Sequence, residues 1–141
     1  MLKIKLQIIT PEKIVFSEEV DQISVSTQSG EITILPNHIQ LVTALKAGEL
    51  RYKKDGNENI LAISGGFAEV RPNNEVVVLA DSADYAEEID LIKAEEAKNR
   101  AQNLLNDERD KDDIEYTTIR ASMERELNKI RVGKKYRKIS S

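Results

Sequence analysis

The sequence LKIKLQI, residues 2–8, alternates apolar and polar side chains without a break. Successive side chains of a β-strand point to opposite faces, so this alternation predicts a strand with one buried and one wet face. Short apolar segments of the same kind recur along the chain, at residues 14–16, 22–27, 31–35, 50–53, 59–64, 67–70 and 75–80. Repeated short strands predict a β-sandwich or barrel, which we place at residues 1–84.

Turn-forming residues separate these segments. Glycine and asparagine tolerate positive φ, and proline fixes its own φ, so clusters of them predict chain reversals between strands. The predicted turns are Ser29-Gly30, Asp55-Gly56, Gly65-Gly66 and Pro72-Asn73-Asn74.

Residues 85–141 have a helical composition, because glycine and proline are absent between Pro72 and Gly133 and strong helix formers dominate. We expect one helix at about 87–105, with Asp84 or Ser82 as its N-cap, and a second at about 114–132 that ends at Gly133. The charged run 106–113 is the predicted connection. The predicted apolar stripes are Ile89, Ile92, Ala97, Ala101 and Leu104 on the first helix, and Tyr116, Ile119, Met123, Leu127 and Ile130 on the second.

Charge is distributed unevenly along the chain, whose formal net charge is -4. Residues 1–86 hold eight Lys/Arg against twelve Asp/Glu, residues 87–113 five against ten, and residues 114–141 eight against three. A basic C-terminal segment on an acidic body favours an acidic partner surface or a nucleotide. The pI near 5.2 and the 4% aromatic content argue against a nucleic-acid partner.

Several classes of chemistry are excluded or disfavoured by composition. The chain has no cysteine, so disulfides and thiolate metal sites are excluded, and its one histidine, His38, allows no His-pair metal site. No phosphate-binding glycine loop occurs. The N-terminus does not have the pattern of a signal peptide, and no segment reaches the roughly 20 apolar residues of a membrane span, so we expect no direct membrane insertion.

Two segments resemble a known family. The run SGEITILPNH, residues 29–38, followed by LVTAL, residues 41–45, is similar to the G-E-x-G-I-L-P-G-H-x-P-L-x-T-x-L segment of ATP synthase epsilon subunits, with ungapped spacing. ISGGFAEV, residues 63–70, is similar to the family's S-G-G-F-x-E-V strand pair. Thr33 and Asn37 replace usual glycines, and Ile39-Gln40 replaces a residue-proline pair. Loss of glycine at a positive-φ site would cost stability, although asparagine at 37 tolerates the left-handed region better than most residues.

The resemblance implies a fold and a set of partners. It implies a β-sandwich of about ten strands at residues 1–84 and a regulatory helical hairpin at 85–141. It further implies a non-catalytic subunit of a proton-transporting rotary ATP synthase, peripheral to the cytoplasmic face of the cell membrane. The implied partners are the central-stalk gamma subunit, the membrane rotor ring and, through the hairpin, the catalytic alpha and beta subunits.

The resemblance also assigns roles to particular residues. Glu31 and His38 match rotor-interface positions. An inhibitory contact with the catalytic subunits would involve the basic residues Arg120, Arg125, Lys129 and Arg131. Some bacterial members bind ATP through an I-D-x-x-R-A pattern and later arginines. The corresponding residues are Ile89, Asp90, Lys93, Ala94, Arg100, Arg125 and Lys129.

Alternatives remain for the nucleotide site and for the whole protein. Lysine stands at 93 and 129 where arginine is usual, which keeps the charge and loses the planar donor geometry. No cofactor is required, and ATP remains as a regulatory ligand; ordinary helix salt bridges explain the same residues equally well. A stand-alone β-sandwich interaction module with a regulatory hairpin and a small enzyme using His38 are the competing hypotheses.

Overall fold

The computed structural model describes residues 2–107 and 111–137 and begins with seven β-strands. They form one sheet in the order β2-β1-β7-β6-β5-β3-β4, in which only the β1–β7 pair is parallel. The strands are β1 Ile4–Ile9, β2 Ile14–Val20, β3 Gln22–Thr27, β4 Gly30–Ile34, β5 Leu41–Lys54, β6 Asn57–Arg71 and β7 Glu75–Tyr85.

The sheet folds back on itself, so that strands distant in the ladder meet. Three strands separate β2 from β5, yet the ring centroids of Phe16 and Tyr52 lie 4.4 Å apart. Between the facing layers lies an aliphatic core that includes Ile4, Leu6, Ile8, Ile23, Val25, Leu50, Leu61, Ile63, Val76 and Val78. The predicted β-sandwich is confirmed.

Gly65 and Gly66 do not form the predicted turn. β6 runs through both residues, at φ values of 63° and 110°, and keeps its pairing with β7 on either side. A Cβ at Gly66 would overlap the carbonyl oxygen of Leu79, so the glycines permit a bend and a close approach within one strand. Segments predicted as separate strands therefore merge, and the sandwich has seven continuous strands instead of about ten.

The other predicted turns are confirmed. Gly30 follows the β3–β4 turn with a φ of 114°. Asp55 and Gly56 join β5 to β6, and Asn73 and Asn74 join β6 to β7, all with positive φ. These residue types adopt the left-handed region at low cost, which explains why the sequence located the turns.

Two helices follow the sheet, α1 Leu91–Leu105 and α2 Asp113–Arg137, after a short 3-10 turn at Ala86–Glu88. The predicted N-caps are wrong, because Ser82 and Asp84 lie in β7; the N-cap is Asp90, whose carboxylate accepts from the N–H groups of Ile92 and Lys93. By clustering of its internal packing, the chain divides into two compact units, Met1–Tyr85 and Ala86–Ser141.

Gly133 does not end the second helix, contrary to the prediction. α2 continues through it to Arg137, and Gly133 itself is buried. A Cβ there would lie 2.8 Å from Cδ2 of Leu91 and 3.4 Å from Cγ2 of Ile89. The missing side chain therefore allows α2 to approach the start of α1 closely, which is a packing role and not a helix stop.

The predicted apolar stripes are only partly buried. On α1, Ala101 is buried, whereas Ile92 and Leu104 are exposed. On α2, Ile130 is buried, whereas Tyr116 and Leu127 are exposed. The buried residues of α2 are Glu126, Asn128, Ile130, Val132 and Gly133. Glu126, Ile130 and Gly133 follow helical spacing, so the close contact at Gly133 selects a different face from the one that hydrophobicity predicts.

Candidate docking surfaces

Glu31 and His38, the predicted rotor-interface residues, make separate contacts at opposite ends of β4. Glu31 is the second residue of β4, and its carboxylate pairs with the guanidinium of Arg51 on β5. His38 lies in the loop of residues 35–40 between β4 and β5. Its backbone N–H donates to the carbonyl oxygen of Leu35 at 3.2 Å, and its ring Nδ1 lies 2.7 Å from the carbonyl oxygen of Ile39.

The loop of residues 35–40 presents apolar side chains to solvent. Leu35 is 52% exposed and Ile39 is 78% exposed. The loop backbone is nevertheless fixed, because Asn37 takes a φ of 67° and its N–H donates to Oδ1 of Asn74 at 2.6 Å. Asn37 therefore adopts the left-handed region, which asparagine tolerates better than most residues. The result is an ordered loop with an apolar tip at one edge of the sandwich.

A row of apolar side chains crosses the outer face of the sheet. Cross-strand partners share a face, and the register joins Phe67 to Leu79 and Leu79 to Ile9. The same row continues to Ala44 on β5 and to Ile14 on β2. Phe67 is 56% exposed, Leu79 51% and Ile14 61%. We call these five residues, Ala44, Phe67, Leu79, Ile9 and Ile14, the apolar row.

The apolar row was not predicted from the sequence, although the sequence contains a signal for it. Residues 76–80, VVVLA, are apolar without alternation, which is typical of a strand that contacts other groups on both faces. In the structure Val76, Val78 and Ala80 enter the core, and Leu79 belongs to the exposed row. A continuous apolar strand in a small sandwich therefore indicates a docking face as well as a core.

Three residues of the predicted nucleotide pattern have structural roles in the hairpin. Asp90 caps α1, with both accepted hydrogen bonds at 3.1 Å. Ile89 and Ala94 are buried. Asp90 is thus engaged with the helix N-terminus, and the two apolar residues help to pack the start of the hairpin.

The four basic residues of that pattern fall into two pairs. Lys93 and Arg100 are both exposed on α1, and a separation of seven residues places them on the same side of the helix. On α2, Arg125 and Lys129 both face the buried carboxylate of Glu126, with Nε–Oε1 and Nζ–Oε1 distances of 3.9 and 3.5 Å. Glu126 therefore occupies the position of an anion between the two α2 cations.

Two more basic residues, predicted to contact catalytic subunits, are exposed on α2. Nε of Arg120 lies 3.4 Å from Oε1 of Glu124, and Nη1 donates to the hydroxyl of Tyr116 at 3.3 Å. Tyr116 first, and then Glu124, raise the pKa of Arg120. Arg131 donates to Oδ1 of the buried Asn128 at 2.6 Å. Each cation is held by a neighbour on its own helix, and its outer side remains accessible.

The described residues contain neither of two further kinds of site. Within residues 2–107 and 111–137, no three His, Asp or Glu side chains are arranged to hold a metal ion. Neither helix in this part of the chain has the length and apolar character needed to cross a bilayer. The exposed features of the described residues are the apolar row, the 35–40 loop and the basic residues of α2.

Comparison with known proteins identifies a family for both parts of the chain. Residues 3–86 match the family described as ATP synthase, Delta/Epsilon chain, beta-sandwich domain, and residues 87–134 match its long alpha-helix domain. The ATP synthase epsilon chain of Dehalococcoides mccartyi is 49% identical over 138 residues, covering 98% of this chain and 97% of that one. The epsilon chain of Bacillus subtilis is 46% identical, covering 81% and 86%.

Solved structures give the same result. A chain of the Euglena gracilis mitochondrial ATP synthase structure, which contains OSCP, F1 and the c-ring, superposes with a TM-score of 0.71 at 26% identity, over 89% of this chain and 78% of that one. A chain from the central stalk and c-ring of the Tetrahymena thermophila enzyme has a TM-score of 0.57 at 15% identity over 95% and 96%, which shows a shared fold. The chain belongs to the ATP synthase delta/epsilon family.

Proposed function

We propose that the protein is the non-catalytic epsilon subunit of a rotary ATP synthase, peripheral on the cytoplasmic face of the cell membrane. Its sandwich joins the central stalk to the membrane rotor ring, and its hairpin restrains ATP hydrolysis. The apolar row is the observation that carries this proposal. A contiguous apolar surface that crosses five strands is typical of a protein interface, and a family of complex subunits supplies the partner.

The central-stalk gamma subunit is the proposed occupant of the apolar row. Phe67 lies between Ala44 and Leu79 in the register, so it has a row residue on each side, and its neighbour Leu79 is the middle residue of the row. Aromatic residues near the centre of an interface contribute disproportionately to affinity. Charged residues flank the row, as Glu69 pairs with Arg71 through an Nε–Oε1 distance of 3.1 Å. This arrangement of an apolar centre and polar rim fits a stable protein contact.

The test is binding of row variants to the purified gamma subunit. Phe67→Ser should weaken binding about tenfold or more, since truncating an aromatic residue inside an interface removes about 1.4 kcal/mol or more. Leu2→Ser is the matched control, because Leu2 is equally exposed on the sandwich but lies outside the row. Unfolding measurements must show both variants folded. Equal binding by both variants and the wild type would reject the row as the stalk surface.

The rotor ring is the proposed partner of the 35–40 loop and of Glu31 and His38. The loop offers Leu35 and Ile39, two exposed apolar side chains that a ring surface can cover. The chain has no cysteine, so a single cysteine at 38 or 31 gives one defined thiol. We expect cross-links from these positions to ring or stalk subunits in the assembled complex. Cross-links confined to other subunits would remove this assignment.

The hairpin is the proposed regulatory element, with catalytic alpha and beta subunits as its partners. Arg120 and Arg131, with Arg125 and Lys129, would contact acidic segments of those subunits.

A chain ending after Tyr85 should still assemble and should raise ATP hydrolysis. Tyr85 is kept because its hydroxyl lies 3.0 Å from that of Tyr52 within the sandwich. The restraint should weaken with salt, because exposed charges are screened over about 8 Å at physiological ionic strength. Unchanged hydrolysis after truncation would reject it.

ATP is proposed only as a regulatory ligand of the hairpin, bound by Lys93, Arg100, Arg125 and Lys129. Glu126 supports a specific form of this proposal. Its carboxylate already neutralises Arg125 and Lys129, so a phosphate group must compete with it. Glu126→Gln should therefore bind ATP more tightly than the wild type in calorimetry on the full chain. No heat of binding at millimolar ATP in either protein would reject the nucleotide role.

A further inference from the structure

The 35–40 loop is held by one side chain from a different part of the chain. Asn74 accepts the N–H of Asn37 with its Oδ1 at 2.6 Å, and its Nδ2 donates to Oδ1 of Asn37 at 3.5 Å. The two residues are 37 positions apart in sequence. Both have left-handed backbones, with φ of 67° at Asn37 and 58° at Asn74. The side chain of Asn74 is therefore hydrogen-bonded to both the backbone and the side chain of Asn37.

Asn74 is itself fixed to the sheet. It ends the turn between β6 and β7, and its carbonyl oxygen accepts the N–H of Lys5 at 2.8 Å, beside the parallel β1–β7 ladder. The residue thus connects three parts of the sandwich: β1 through its carbonyl, the β6–β7 turn through its backbone, and the 35–40 loop through its side chain. A loop that is hydrogen-bonded to such a residue is held in a fixed position relative to the sheet.

A fixed loop matters for an apolar contact. A six-residue connection that is free must lose conformational entropy when it docks, and this cost lowers affinity. Leu35 and Ile39, the exposed apolar residues, lie on either side of Asn37 within two residues of it. Fixing the backbone at Asn37 therefore sets the directions of both side chains before binding.

We propose that Asn74 is a positioning residue, which holds the 35–40 loop in the conformation that docks on the membrane rotor ring. The inference rests on the proposed ring contact of that loop. Asn74 does not itself need to touch the ring. Asn74 acts by preorganising Leu35 and Ile39. Its hydrogen bonds to Asn37 also explain how the loop stays ordered with asparagine at 37, where the family motif has glycine.

Three variants of the full-length chain separate this role from general stability. Asn74→Gly keeps a residue that tolerates positive φ and deletes both side-chain bonds. Asn74→Asp keeps an acceptor for the Asn37 N–H and is the conservative rescue. Asn73→Gly is the matched control, because Asn73 is the neighbouring left-handed residue of the same turn, with a φ of 64°, and makes no side-chain bond to the loop.

Two measurements are required, hydrogen exchange at the Asn37 amide and equilibrium binding to the purified, detergent-solubilised ring. We expect Asn74→Gly to speed exchange at Asn37 and to weaken ring binding, each by about tenfold, because the loop loses its anchoring bonds. Asn74→Asp and Asn73→Gly should stay within about twofold of the wild type in both measurements. A residue with a merely structural role would change the exchange rate without changing ring affinity.

The outcomes distinguish the inference from the proposed function. Unchanged exchange in Asn74→Gly, or faster exchange with wild-type ring affinity, would overturn the positioning role while leaving the ring contact intact. Loss of binding in Asn73→Gly to the same degree would also overturn it, since any change in the turn would then suffice. If the wild type itself does not bind the ring, the proposed contact fails and the inference fails with it.

Discussion

The sandwich and the hairpin bury different kinds of side chain. In the sandwich, large aliphatic residues such as Leu6, Leu50 and Leu61 are fully buried. In the hairpin, the buried set consists mainly of small and polar residues, Ala94, Ala101, Gly133, Glu126 and Asn128, with few large aliphatics. Burying a large aliphatic side chain contributes about 1.5–3 kcal/mol, whereas alanine and glycine contribute far less.

This difference predicts that the sandwich is more stable than the hairpin. The sandwich has enough apolar burial to hold its own fold, and its hydrogen-bonded strands form one ladder. The hairpin is held by a close helix contact at Gly133 and by hydrogen bonds and ion pairs, which each contribute little at a wet surface. A unit of low local stability can change conformation at small cost, which is the property that a regulatory element needs.

The largest expected effect comes from separating the two units. A fragment of residues 1–86 should unfold cooperatively, because its core residues all lie before Ala86. A peptide of residues 86–137 should lose most of its helix signal, since helices in proteins are stabilised mainly by packing of an apolar face and the hairpin buries few large aliphatic side chains. Circular dichroism and urea unfolding of both pieces test this. Cooperative unfolding of a stable hairpin peptide would contradict the predicted difference in stability between the two units.

Gly66→Ala should give the next largest effect, on the sandwich alone. The new Cβ would overlap the carbonyl oxygen of Leu79 at a φ of 110°, so we expect a loss of roughly 3 kcal/mol or more in unfolding free energy. Gly30→Ala is the matched control, because its φ is 114° and nothing lies within 4 Å of a Cβ there. Its cost should be only about 1–2 kcal/mol, the strain of positive φ. Equal costs would mean that the close approach at Gly66 relaxes freely.

The sequence predicted local features well and non-local ones poorly. Period-two alternation located β1, and turn residues located the reversals at Asp55-Gly56 and Asn73-Asn74, because both signals act within a few residues. Gly65-Gly66 was misassigned, since a positive φ is equally compatible with a turn and with a bent strand. Only the neighbouring β7 decides between them.

The docking surfaces show the same limit. The apolar row joins five strands through cross-strand register, and Asn37 meets Asn74 across 37 residues, so neither arrangement has a local sequence pattern. The nucleotide pattern stays a prediction, and Asp90 fits equally well as a helix cap. A short motif at a helix start is therefore compatible with a cap and with a ligand site, and the motif alone does not decide between them.

Acid titration should reveal a smaller contribution, from one charged cluster of the sandwich. Nζ of Lys3 donates to Asp21 at 2.6 Å and to Asp55 at 3.0 Å. The hydrogen bond from Lys3, and then that from the Gly56 N–H, lower the pKa of Asp21 below its ordinary value of 3.8. A lowered pKa in the folded state means that the stabilisation is complete above the ordinary value and is lost as pH falls through the folded value.

The measurement compares urea midpoints of the wild type and Asp21→Asn between neutral pH and pH 2. Wild type should be the more stable near neutrality, and the difference should shrink once the pH falls below about 4. Lys3→Met supplies the control, because it removes the first cause of the shift. In that background, Asp21→Asn should show a smaller dependence on pH. A constant difference across the whole range would show that Asp21 acts only through its neutral hydrogen bonds.

The smallest expected effect is of opposite sign and concerns Glu126. Its buried carboxylate pairs with Lys129 at 3.5 Å and Arg125 at 3.9 Å, and burying a charge costs free energy that loose pairs recover only in part. The side chains of Arg125 and Lys129 are 39% and 23% exposed, so water can solvate both cations once the carboxylate is removed. Glu126→Leu should therefore leave the hairpin unchanged or stabilise it by about 1 kcal/mol, measured as unchanged or slower hydrogen exchange of α2 amides in the full chain. Glu124→Leu is the control for helix propensity, because Glu124 is exposed on the same helix. It should have little effect on the exchange of α2 amides.

Glu126 also connects hairpin stability to the proposed regulation. In the proposed regulation, the hairpin must open before it contacts the catalytic subunits. A variant that stabilises the closed hairpin relative to the open one should therefore weaken inhibition. An increase of about 1 kcal/mol would reduce the open population roughly fivefold, so hydrolysis by the assembled complex should rise in Glu126→Leu and not in Glu124→Leu. Faster α2 exchange in Glu126→Leu would contradict the argument, because the ion pairs would then be what holds the hairpin closed.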